Sequence, residues 1–367
     1  MEKQRQKAKG KVQKAKGCGV DSASHAIRNM QYAVGLLAGI GSAVAGYAFF
    51  WEPSDVRLEQ VTLRVPRSAG RLPEKGLRIL HLSDFHFQGR NGREQPKMRK
   101  VKRLTQGLEY DLLIHTGDFL HTDAGMANVF ELLDSLPKPR LGAYAVMGNH
   151  DYVCYDMRDV IVYSWRNFLS WEAHHRQRSF ILSPGTRWEK ARQMAQFSHF
   201  LLNYPVEAKR TGWNDVQALA AGLAKRDIHL LHNRAIRLTV HHPAIGDVDL
   251  HMAGIDDLHE GAPDLDTVLA GIPPQELTLL LSHNPDILDH PDIHQADVVL
   301  AGHTHGGQIV LPFLGAVHTH SEHLGRREAS GPMQRGNTQV YVNRGLGEGI
   351  PLRFGAPPVV AVITLVN

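Results

Sequence analysis

Five short apolar runs along this 367-residue chain end in the same way, in polar side chains able to bind a metal ion. They are LRILHLSDFH (77–86), DLLIHTGDF (111–119), GAYAVMGNHD (142–151), TLLLSHNP (278–285) and DVVLAGHTHGG (297–307). Each predicts a short strand closed by turn-forming residues. Helical periodicity separates the first three, around 94–109 and 125–135, and β-like runs recur at 236–241, 248–253, 338–343 and 358–365. Strands alternating with helices, then further strands, predict an α/β fold of layered sheets flanked by helices.

Two stretches break this rhythm. Residues 33–51, AVGLLAGIGSAVAGYAFFW, carry no charge over 19 positions, enough to cross a bilayer core at ~1.5 Å per residue. Tyr47, Phe49, Phe50 and Trp51 gather at one end, where interfacial aromatics belong. The segment predicts an uncleaved transmembrane helix between a tail at 1–32 and a connector at 52–76, punctuated by Pro53, Pro66, Gly70, Pro73 and Gly76. The second stretch, about 154–226, holds four of the five tryptophans and eleven Lys/Arg against six Asp/Glu. It predicts a partly helical, amphipathic insertion, equally readable as a substrate-binding cap or as a packing subdomain.

Charge changes the picture once it is divided. Residues 1–30 carry eight Lys/Arg against Glu2 and Asp21, which leaves 33 basic and 35 acidic residues for the remainder. The basic character therefore belongs to the tail, and the slightly acidic body argues against nucleic acid as a partner. The tail as a whole favours a cytoplasmic N-terminus, but near the helix Lys14, Lys16 and Arg28 are balanced by Arg57, Arg64, Arg67 and Arg71, so sidedness stays open. Cys18 and Cys154 lie on opposite sides of the apolar segment and form no disulfide framework.

The candidate chemistry lies at the strand ends: Asp84 and His86, Asp118, Asn149 and His150, His283, then His303 and His305. Carboxylates, an amide oxygen and imidazoles suit Mn²⁺, Fe²⁺ or Zn²⁺. Alternate residues leaving a strand project to one side, so Asp84 with His86, and His303 with His305, can each reach one ion. A single Asp-x-His carries little information; five pieces in order, each after an apolar run, carry much more.

Taken together, Asp84-x-His86, Gly117-Asp118, Gly148-Asn149-His150-Asp151, His283 and Gly302-His303-Thr304-His305 resemble the signature of the calcineurin-like metallophosphoesterases, over roughly residues 77–365 apart from the insertion. The resemblance implies a four-layer β-sandwich flanked by helices. It implies two divalent ions, Mn²⁺ foremost. Asp84, His86, Asp118 and His305 would hold one and Asp118, Asn149, His283 and His303 the other, with His150 beside them as the catalytic residue. Such a pair neutralises phosphoryl charge and acidifies water. Asp151 either orients His150 or caps the following turn.

Asp151 in place of Glu, and the absence of Asp-Arg-Gly after Gly117-Asp118, set the chain apart from protein Ser/Thr phosphatases. His121 stands where purple acid phosphatases place a tyrosine ligand. The apolar N-terminal segment, LSDFH, GNHDY and VYVNRGLG are instead similar to a bacterial membrane-associated branch, some members of which hydrolyse UDP-2,3-diacylglucosamine in lipid A synthesis. That implies an enzyme of the bacterial inner membrane, single-pass, acting on a phosphodiester or pyrophosphate bond of a lipid-linked substrate. The alternatives are a tethered general phosphatase or nucleotide phosphodiesterase, a nuclease, and a non-catalytic scaffold. His174-His175, His241-His242 and His318/His320/His323 fall off the strand-end pattern. His115 reads as a core histidine, Cys154 as a buried thiol, and the basic run Arg90–Arg103 as a solvated helix face or a phosphate-attracting one.

Overall fold

The computed structural model describes residues 38–156 and 208–367 throughout, together with 32, 35, 36, 164–166, 168, 169, 188, 192–197 and 199. Two compact units divide at Phe49/Phe50. In the first, residues 38–46 are helical. Among the described residues no helix is long and apolar enough to cross a membrane. Positions 33, 34 and 37 of the expected membrane segment lie outside them, as does the tail at 1–31.

The second unit contains two six-stranded sheets. Its strands are β1 (Arg57–Arg64), β2 (Leu77–Leu82), β3 (Leu112–Thr116), β4 (Gly142–Val146), β5 (Val153–Asp156), β6 (Lys209–Trp213), β7 (Ile228–Leu230), β8 (Arg234–His242) and β9 (Gly246–Gly254). Then come β10 (Thr278–Leu281), β11 (Val298–Ala301), β12 (Val310–Leu311), β13 (Gly315–Ala316), β14 (Gly331–Arg335), β15 (Thr338–Val342) and β16 (Val359–Val366). One sheet runs β1-β16-β2-β3-β4-β7, the other β14-β15-β11-β10-β9-β8. The centres of both are parallel: β2, β3, β4 and β7 in the first, β9, β10, β11 and β15 in the second.

Parallel strands covered on both faces need apolar residues at nearly every position, which is why these runs read as continuous rather than alternating. Leu77, Ile79, Leu112, Ile114, Leu279 and Leu281 pack between the two sheets. Leu80, Leu82 and Leu113 face outward onto helices α1 (Asn91–Thr105), α2 (Met126–Asp134) and α4 (Val216–Ala224). A short α3 (Asn149–Tyr152) follows β4, and α5 (Leu265–Ala270) covers the outer face of the second sheet with Ile287 and Ile293. The result is helix, sheet, sheet, helix: the four layers that the resemblance implied.

Two boundaries need correction. Residues 57–64 of the expected connector form β1, paired in parallel with β16 from Arg57↔Val359 to Arg64↔Val366. Its outward charges hide it as a strand, because an edge strand buries only part of one face. The stretch 154–226 likewise begins and ends inside the main body, since β5 pairs with β6 and α4 buries Leu219 and Leu223 in its core. In the middle of that stretch residues 164–166, 168–169 and 192–197 are helical, with Trp165, Phe168, Leu169 and Phe197 packed together.

Candidate metal centre

The five polar motifs meet at the carboxyl ends of β2, β3, β4, β10 and β11, where ligands collect in open α/β sheets. To turn side chains inward so soon after a strand, the backbone adopts an unusual conformation. Asp84, His86, Asp118, His303 and His305 all have positive φ, between 48° and 70°. Each costs about 1–2 kcal/mol for a residue with a β-carbon, and such strain persists only where surrounding structure enforces it. Close packing does so here. A β-carbon on Gly148 would lie 2.3 Å from Asp118 Oδ1, and one on Gly302 would lie 2.0 Å from Ser83 Oγ.

Asp118 is the hinge of the arrangement. Its Oδ2 lies 3.2 Å from His86 Nε2 and 3.2 Å from His283 Nε2. Its Oδ1 accepts the His150 backbone N–H at 2.8 Å. On one side Asp84, His86 and His305 bring their ligand atoms together, with Asp84 Oδ1 3.8 Å from His86 Nε2 and 3.7 Å from His305 Nε2. On the other side Asp118, His283 and His303 form a second group, and His303 Nδ1 lies 3.1 Å from His283 Nε2. His283 Nδ1–H donates to the Thr116 carbonyl at 2.7 Å, which points Nε2 at Asp118.

Both groups fit divalent ions on their own chemistry. Nδ1 of His86, Nδ1 of His305 and Oδ1 of Asn149 are buried without hydrogen-bond partners. Buried polar atoms left this way cost about 1–3 kcal/mol each unless something pairs with them. Burial disfavours charge on His86, yet Asp118 and then Asp84 outweigh it and raise its pKa to about 9. His283 is likewise raised well above the ordinary range by Asp118 against the pull of burial. Burial opposes ionisation of Asp118 too, but His283, His86 and His150 hold it well below the usual carboxylate range. A carboxylate that draws protons onto two flanking imidazoles is a place where positive charge is wanted.

The surroundings hold this frame. Asp151 accepts backbone N–H bonds from Asp118, Leu120 and Gly148 at 2.9–3.0 Å. It therefore ties two ligand loops together and caps the N-terminus of α3, the turn that carries it rather than the one that follows. Arg353, fully buried, donates to the carbonyls of Arg344, Gly347, Ala356 and, at 3.4 Å, Gly345 and His305. Gly345 and Gly347 press against Asp84 and Phe85 so closely that a β-carbon would fall 2.4 Å from Asp84 Cβ and 2.1 Å from the Phe85 carbonyl oxygen. Lys97 supports the same loop through the Leu346 carbonyl and Glu348.

The His150 ring sits 4.5 Å from that of His86, with its Nδ1 unpartnered. Burial lowers its pKa well below the ordinary value. Sequence reading missed three further imidazoles. His121 joins His86 and His150 as a third group of close ligand atoms. His259 lies 5.3 Å from His303 in ring separation, and His320, set aside as off the pattern, lies 6.5 Å from His305. Only His121 had a local signal, three residues after Asp118. His115 is a core histidine as expected, stacked on Phe119 at 3.6 Å. Cys154 is half-buried and donates to Asn214 Oδ1 at 3.0 Å, and burial raises its pKa. Of the basic run, Lys97 is buried, while Arg99, Lys102 and Arg103 are exposed.

The family profile described as calcineurin-like phosphoesterase matches residues 77–307. The UDP-2,3-diacylglucosamine pyrophosphatase LpxG of Chlamydia trachomatis is 30% identical over 355 residues, covering 91% of this chain and 98% of that protein. Its counterpart in Chlamydia muridarum is 27% identical over 347 residues, covering 90% and 97%. Among solved structures, the phosphopantetheinyl hydrolase PptH of Mycobacterium tuberculosis matches 76% of this chain and 96% of its own, at 11% identity and a TM-score of 0.34.

Proposed function

The chain belongs to the calcineurin-like phosphoesterases, metal-dependent hydrolases of phosphate ester and pyrophosphate bonds, and from that premise we propose that it cleaves the pyrophosphate of a nucleotide-linked acylated sugar such as UDP-2,3-diacylglucosamine. The observation that carries the two-ion reading is Asp118 Oδ2, 3.2 Å from a histidine of each ligand group. The substrate class is supported by relatives that match nearly end to end.

In this reading Asp84, His86, Asp118 and His305 hold one ion and Asp118, Asn149, His283 and His303 the other, with Mn²⁺ favoured over Fe²⁺ and Zn²⁺. Bound there, two divalent ions supply the charge that neutralises phosphoryl oxygens and acidifies water. Asp118 keeps the two ligand groups in register and, through its Oδ1, fixes the start of the turn that carries His150. The His150 ring, free at Nδ1, meets the phosphoryl or leaving oxygen and moves a proton at that nitrogen. The charge-free segment 33–51 anchors the chain in a bacterial inner membrane, a reading supported by the exposure of Leu36, Ile40, Val44 and Phe50.

The test compares UDP-2,3-diacylglucosamine with bis(p-nitrophenyl) phosphate and p-nitrophenyl phosphate, using full-length protein with Mn²⁺ or with chelator. Metal-dependent preference for the UDP lipid is expected. Cleavage of the small esters alone would remove the lipid substrate and favour a tethered general phosphodiesterase or phosphatase.

A further inference from the structure

Between His305 and His320 the chain leaves the metal centre and comes back to it. It forms β12, reverses, and returns through β13 to His320, whose ring lies 6.5 Å from that of His305. The reversal is apolar throughout. Leu311, Pro312, Phe313 and Leu314 are all exposed, Phe313 to 97%. Four consecutive apolar residues in water are a liability unless something uses them. Phe313 also has φ +68°, a region that bulky side chains avoid.

This hairpin is braced rather than loose. Val310 pairs with Ala316 and Leu311 with Gly315, while Ile309 bridges to Phe354. Arg326 donates to the carbonyls of Ala316 and Val317 at 3.1 and 2.8 Å, and Arg327 donates to that of Phe313 at 3.3 Å. Arg327 is exposed and makes no ion pair among the described residues, and the neighbouring Glu328 is already paired with Arg335 at 2.8 Å. An aromatic and aliphatic tip beside a guanidinium without a counter-ion complements the edge of an anionic bilayer. The apolar side chains enter the acyl boundary and the guanidinium meets headgroup phosphates.

We propose that the 311–314 hairpin tip docks onto an anionic lipid surface and sets the metal centre facing the bilayer from which its substrate comes. Phe313 is eight residues from His305, a reach of at most about 28 Å even when extended. The proposal rests on the amphiphilic substrate named above. It adds a contact that orients the site, distinct from the anchor at 33–51.

A spin label reads the tip directly. The full chain, with Cys18→Ser and Cys154→Ser, carries a nitroxide at Phe313→Cys and is reconstituted into phosphatidylcholine vesicles with or without phosphatidylglycerol. With the anionic lipid, the label should collide more with oxygen and less with a water-soluble nickel chelate. A label at Asp247→Cys, exposed near the start of β9, should stay in water. A water-like reading at Phe313 in anionic vesicles would overturn the proposal. Label–label broadening without lipid contact would also overturn it, by assigning the tip to a second copy. The double variant Phe313→Ser, Leu314→Ser should raise KM for vesicle-borne UDP lipid about tenfold and leave kcat on bis(p-nitrophenyl) phosphate within about twofold. If the wild-type chain cleaves no lipid yet Phe313 still reads as membrane-inserted, the substrate assignment fails and the docking surface stands. Lipid turnover with Phe313 in water is the reverse result.

Discussion

Asp118 concentrates the chemistry, because one oxygen faces a histidine from each ligand group and the other holds the His150 turn. Asp118→Asn removes the charge while keeping the shape. It should cut turnover at least about a hundredfold with loss of bound metal, checked by metal analysis beside kinetics. His150→Ala should differ: turnover falls about 10²–10⁴-fold while metal content stays intact. Metal affinity should also depend on pH in a definite direction. In the ion-free protein Asp118 and Asp84, against burial, raise His86 to about 9, and Asp118 likewise raises His283 well above the ordinary range. Both must lose protons to bind an ion, so near neutral pH binding releases protons and affinity climbs as pH rises toward about 9. Calorimetry in buffers of different ionisation enthalpy measures that release; pH-independent affinity would count against these histidines as ligands. These residues were legible in the sequence because each follows its own strand within a few positions. His259 and His320 were not, since tertiary packing alone brings them to the site.

The strand-end turn is the element that makes the site. Three turns place five candidate ligands with positive φ, and glycines let the turns touch. Gly148→Ala would drive a methyl group into Asp118 Oδ1 and should abolish activity even where the chain still folds; circular dichroism and turnover measured together separate the two effects. Arg353 acts through backbone carbonyls, holding 344–347 beneath Asp84 and reaching the His305 carbonyl. Arg353→Lys keeps the charge and loses the fork. It should weaken the ion held by Asp84, His86 and His305 by about ten- to a hundredfold, seen as a shift from spin-coupled to mononuclear Mn²⁺ resonance. Unchanged coupling would leave Arg353 a purely structural residue. The strands behind these turns could be read from their apolar runs. Edge strand β1 could not, because its alternation Arg57-Leu58-Glu59 resembles a polar linker as much as a strand.

At the scale of the molecule, the two sheets press their parallel centres together, so the ligand-bearing strand ends from both meet along one edge. Stability and site geometry therefore share a core. Leu279→Ala, between the sheets, should cost about 2–5 kcal/mol in urea unfolding, and saturating Mn²⁺ should recover part of it. The layered architecture was foreseen from strand and helix rhythm together with the family resemblance, whereas the entry and exit of the insertion were not. Its apolar residues share one composition whether they cap a site or fill a core. This frame would hold two ions, with Asp118 common to both ligand groups, and catalysis would need both. Titrating Mn²⁺ into the chelator-stripped full-length protein, with turnover and resonance spectra followed together, tests it most directly. Activity should rise with the second ion per chain, as a spin-coupled signal appears. Full activity at one ion per chain, with no coupled signal at any ratio, would contradict it.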